Sequence, residues 1–121
     1  MDGRQEVMLG FAEVAADEGG HFFYVRIPGD IRPKERRERF DDRLEEALAA
    51  HDLGEVTGGG SQIGEGGGIE FCGIDVVVTD REKGLPLIIE TLRVLEAPKG
   101  TVVEQYLPQR IDFHVDTYRG T

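Results

Sequence analysis

Three titratable side chains, Asp112, His114 and Asp116, alternate with Ile111, Phe113 and Val115 near the C-terminal end of a 121-residue chain. Alternate residues of a strand share one face at a spacing of about 6.6 Å. Carboxylate and imidazole are both ligands for divalent cations. Three ligands along a straight strand converge poorly on one ion, so they are weak metal candidates. Their simpler role is the polar face of a half-buried strand. Asp75 stands inside the apolar run "CGIDVVV". A buried, unpaired carboxylate holds its proton more tightly, as general acids and bases do. The same residue could face solvent or pair with an arginine. Cys72 falls on the opposite face with Ile74 and Val76 and reads as inert core. A small enzyme would have to use Asp75 or His114. No triad, zinc signature or nucleotide motif accompanies them, so no catalytic residue is assigned and no cofactor is expected.

The second candidate is backbone. In "GEVTGGGSQIGEGGGIEF", eight of the first fifteen residues are glycine. A phosphate loop needs a strand, glycines and then a helix N-terminus, with Lys and Ser/Thr in place. Here a strand pattern follows the glycines, Glu55 and Glu65 flank them, and no Lys or Arg occurs between Arg43 and Arg81. A hairpin fits better, with "GEGGG" as its turn. Gly58, Gly59 and Gly60 lie inside its first strand, where glycine marks a bulge or a close approach by another group. That group would be a ligand, a partner or the chain's own N-terminal segment.

The third candidate is charge. The chain carries a formal net charge of −10, which argues against general nucleic-acid binding. Yet Arg32, Lys34, Arg36, Arg37, Arg39 and Arg43 crowd twelve residues that hold only four acids. Such a segment either binds an anion or acidic partner or forms a solvated helix start laced with pairs of the Glu35–Arg39 kind. Cations at a helix N-terminus oppose the macrodipole.

These residues need elements to position them. Gln5–Val14 alternates Val7, Leu9 and Phe11, and "ADEGG" supplies turn chemistry, so a β-hairpin with His21–Ile27 is expected. Phe40, Leu44, Ala47 and Leu48 recur at helical spacing, with Asp42 and Glu45 as a capping box and Gly54 as the C-cap. Lys34–Arg39 reads as a separate turn or an exposed helical extension. Glu55–Ile63 and Ile69–Thr79 read as strands, the second as the best in the chain. A helix over roughly Glu82–Glu96 buries Leu85, Ile88, Leu92 and Leu95, with Thr79 and Glu82 as its capping box. Thr101–Leu107 and Arg110–Tyr118 are the last strands. One domain spanning 1–121 is expected. The order ββαββαββ contains βαββαβ, a ferredoxin-like α+β core. Its antiparallel sheet would carry two helices on one face, with extra N- and C-terminal strands.

The segments "LGEVTGGGSQIG", "IEFCGIDVVVTD" and "APKGT" resemble small uncharacterised bacterial proteins of this split βαβ architecture. The resemblance implies a fold and carries no active site. The lone cysteine rules out an internal disulfide and suits a reducing, cytoplasmic setting. No secretory leader and no apolar run of about 20 residues is read. The favoured function is a non-enzymatic module that binds a protein partner or small ligand at an open sheet face and the Gly-rich hairpin. Arg32, Lys34, Arg36, Arg37, Arg39, Gly58, Gly59, Gly60, Phe71 and Asp75 are the expected contacts. Phe22, Tyr24, Ile69, Phe71 and Val77 would form an apolar face suited to a homodimer. The alternatives are an acidic inhibitor or immunity-type protein that neutralises a basic partner, or the small enzyme.

Overall fold

Strand β1 (His21–Pro28) is buried on both faces, as its continuous run of Phe22, Phe23, Tyr24 and Val25 requires. The computed structural model describes residues 2–120. It places β1 between β3 (Ile69–Val78) and β4 (Val102–Gln105), antiparallel to both. Strands β2 (Gly54–Ile63) and β5 (Ile111–His114) form the two edges, giving the order β2-β3-β1-β4-β5 with every neighbouring pair antiparallel. The molecule is therefore α+β.

Helices cover both faces. On one, Phe23, Val25, Ile27, Ile74, Val76 and Val78 meet Phe40, Leu44 and Leu48 of one helical stretch and Leu85, Ile88 and Leu92 of α4 (Arg81–Val94). The helical stretch runs from α2 (Pro33–Arg36) through a π turn (Arg37–Asp41) into α3 (Asp42–Ala50). Arg36, Phe40, Leu44 and Leu48 are all buried at four-residue steps. On a 3.6-residue helix each such step drifts about 40°. The wider π turn takes up that drift and buries Arg36 where a regular period would bury Arg37. Asp42 is thus helical, not a cap, and the expected capping box gives way to a bond from Val56 N to Glu45 Oε2, 2.5 Å. Asp52, not Gly54, is the left-handed residue after α3. The α4 cap is Asp80, whose Oδ1 accepts from Lys83 N at 3.1 Å.

The N-terminal segment differs most from expectation. Gly3–Asp17 is a helix, α1, not a strand. Asp2 caps it, accepting from Gln5 N at 2.8 Å, and Gly19 turns the chain at φ +83°. The buried stripe is built from Ala12 and Ala15, with Met8 and Leu9 partly buried. It packs on Phe22, Tyr24 and Tyr106 across the second sheet face. The Val7–Leu9–Phe11 alternation is a misleading signal, because Val7 and Val14 are exposed and Phe11, though partly exposed, sits edge-on to Phe22 at 5.8 Å. Phe22, Tyr24, Phe71 and Val77 therefore lie beneath α1 and do not form an open apolar face.

Candidate functional site

α1 leaves a cleft beside β2. Four of the expected contacts, Gly59, Gly60, Phe71 and Asp75, line it together with Arg4, Phe11 and Tyr24, enclosing about 310 Å³. An adjoining hollow of about 460 Å³ shares Phe11 and Asp75 and extends to Glu18, Phe22, Glu55 and Val77.

Glycines make the space. In the sheet register Gly58 faces Asp75 and Gly60 faces Gly73, while Gly73 also faces Arg26. A Cβ on Gly73 would lie 1.8 Å from Tyr24 Oη, so the phenol lies across that backbone. A Cβ on Gly58 would lie 3.0 Å from Asp75 Oδ2, while one on Gly60 would meet nothing within 4 Å. Glycine in mid-strand marks close approach, so Gly73 within "FCGID" was a usable signal that the sequence reading passed over. The expected bulge falls just before the triplet, between Val56 and Gly58.

Asp75 forms part of the floor. Its Oδ1 is buried and has no hydrogen-bond partner among the described residues. Burial raises its pKa above the ordinary aspartate value, and the Arg36 charge only partly opposes this. Burial likewise pushes Tyr24 up to about 12; Arg4 opposes the rise and Asp75 adds to it.

The basic segment divides. Arg36 is buried behind the opposite sheet face, with Nη1 donating to Gly60 O at 3.2 Å and Nε 3.3 Å from Asp41 Oδ1. A Cβ on Gly59 would sit 3.0 Å from Arg36 Cζ and 2.8 Å from Gly73 O. The group that approaches the glycine triplet is thus the chain's own arginine. Arg32 pairs with Asp30 at 3.3 Å, Lys34 with Glu38, Arg39 with Glu35 at 3.5 Å and Arg43 with Glu46 at 2.9 Å. Arg37 is exposed. The segment is mostly an ion-paired helix surface.

A second charged cluster escaped the sequence reading. Glu104 on β4 is fully buried; its Oε1 takes Arg4 Nη1 at 3.0 Å and Tyr106 Oη at 2.6 Å. Its Oε2 takes Arg26 Nε at 2.9 Å and lies 3.4 Å from Arg110 Nη2. Burial alone would raise its pKa, but the bonds from Arg4, Tyr106 and Arg26 outweigh that and hold it below the usual glutamate range. This network ties α1 to β1 and β4. A glutamate inside the apolar "TVVEQYL" was its only sequence trace.

Asp112, His114 and Asp116 do not converge. Asp112 lies 2.5 Å from Arg110 Nη1; Asp116 falls beyond β5 and accepts from Gly100 N at 3.2 Å. No group of three or more potential metal-ligating side chains occurs among the described residues. His114 on β5 and Asp75 on β3 are separated by β1 and β4, about 14 Å at ordinary strand spacing, so they form no catalytic pair. No helix among the described residues is long and apolar enough to cross a membrane. Comparison with protein-family models, curated proteins and solved structures finds no match to this chain.

Proposed function

We propose that this protein is a non-enzymatic binding module, built on a ferredoxin-like core, whose ligand enters the cleft between α1 and the glycine-rich edge of the sheet. The strand order β2-β3-β1-β4, with a helical crossover between β1 and β2 and another between β3 and β4, supports the ferredoxin-like reading. The observation that carries the function is Asp75, which lines a cleft walled by aromatic rings and bare glycine backbone and whose buried Oδ1 has no hydrogen-bond partner among the described residues. Ligand sites combine apolar walls with a few aimed polar groups at comparable volumes, about 300–1,000 Å³. Buried polar groups without a partner are uncommon in folded proteins.

A thermal-shift screen of small cations, anions and neutral metabolites tests this. A ligand at 100 times its Kd should stabilise the chain by about 2.7 kcal/mol. The rise should shrink in Asp75→Asn or in Gly60→Val, whose new side chain projects from the cleft wall. Equal rises in the parent and both variants would place the ligand elsewhere and refute the reading.

A protein partner is the second reading. Val7, Phe11 and Val14 are 52%, 44% and 58% exposed along one stripe of α1, and the segment 44–80 contains acids but no Lys or Arg. A basic partner would meet both features, with binding that weakens steeply as salt rises.

A further inference from the structure

The polar groups around Asp75 specify more than a cavity. Two cations of the chain lie near enough to act on its surroundings, and both are engaged elsewhere. Arg36 serves Asp41 and Gly60 O from behind the other sheet face. Arg4, on the same face as Asp75, donates to Glu104 and lies over the Tyr24 and Phe71 rings at 5.3 and 5.6 Å. Asp75 Oδ1 is left without a donor among the described residues. The adjoining hollow adds Glu18 and Glu55 and is lined by no basic residue. Its walls include Phe11, Phe22 and Val77.

Resting on the binding-module reading of the same cleft, we infer that the ligand is a small organic cation. Its primary ammonium group pairs with the Asp75 carboxylate, and its apolar or aryl body lies in the hollow between α1 and β2. An ammonium is compact and carries three donors. The cleft has room for it beside Gly60, where a Cβ would meet nothing within 4 Å. A charge-assisted bond to a half-buried carboxylate is about twice as strong as a neutral one. Nearby aromatic faces attract cations further, and the net charge of −10 concentrates cations around the molecule. A divalent metal is disfavoured because no second and third ligand join Asp75 among the described residues. An anionic ligand would face Asp75, Glu18 and Glu55 together.

Calorimetric titration of the full chain with 2-phenylethylammonium, 3-phenylpropionate and benzyl alcohol separates the possibilities, with amide chemical shifts recorded alongside. The cation should bind and shift amides of Thr57–Gly60, Asp75 and Val77, while the carboxylate shows no binding. Asp75→Asn, which keeps the side-chain shape, should weaken the cation roughly 10- to 100-fold. Glu18→Gln, at the exposed C-cap of α1, should weaken it by about twofold. If the carboxylate or the alcohol binds there as well as the cation, or Asp75→Asn is without effect, the inference falls and the binding cleft stands. A lysine-containing peptide that binds far more tightly than the amine would overturn the small-molecule source. If no probe binds at millimolar concentration, the inference is wrong; if the probes shift amides only elsewhere, the cleft reading fails with it.

Discussion

Asp75 and Glu104 are two acids on one sheet face with opposite electrostatic fates, and each gives a prediction with a definite sign. Burial raises the Asp75 pKa in the folded chain. The native state then holds the proton more tightly than the unfolded one, so stability falls as pH rises from the ordinary value near 3.8 through the raised one. Asp75→Asn should be more stable than the parent at pH 7, by up to about 1 kcal/mol, and the advantage should vanish below pH 3.8. Chemical denaturation at the two pH values measures it. Glu104 behaves the other way. Its pKa is lowered, so its contribution is present above the ordinary 4.5 and is lost as pH falls through the folded value. Glu104→Gln leaves three arginines facing a neutral amide, and should cost about 3 kcal/mol at pH 7. The unfolding free energy of the variant should also depend less on pH below 4.5 than that of the parent.

The hairpin of β2 and β3 makes neighbouring glycines unequal. Gly59 is confined by Gly73 O and the Arg36 guanidinium, so Gly59→Ala should destabilise by roughly 1–3 kcal/mol. Gly60 has open space, and Gly60→Ala should be neutral or stabilising by about 0.5–1 kcal/mol. Denaturant midpoints of the two variants should move in opposite directions or differ plainly in size. The hairpin, both core helices and the central strands were legible in sequence, because their Val, Ile and Leu follow clean periods. α1 was not, since its buried stripe is alanine while its valines face outward, which reverses the usual pattern. Asp75 and Phe71 were visible as candidates on the right strand, but their cleft was not, because α1 supplies its other wall. The Arg36 contact was hidden by the π turn, which no simple period reveals. The Glu104 network joins residues as far apart as Arg4 and Arg110, and spacing along the chain carries no trace of such a meeting.

Taken together, the sheet is a divider between two unlike layers. One face holds the large apolar core under α3 and α4. The other holds a small cluster under α1, a buried carboxylate clasped by arginines, and the cleft beside β2. Helix α1 rests on few large side chains, and the Arg4–Glu104 bond fastens its first turn. Arg4→Ala should therefore speed amide hydrogen exchange in Gly3–Asp17 while leaving α4 protected, as expected of a locally opening unit. The same variant should disturb the cleft, because α1 forms its wall. The most direct test of the binding account is amide chemical-shift mapping of the full chain during titration with 2-phenylethylammonium. Saturable shifts concentrated in Thr57–Gly60, Phe71–Val77 and the facing turn of α1 around Phe11 are the predicted result. Shifts confined to the Arg32–Arg43 helix surface or to β5, with the cleft amides unmoved, would contradict it.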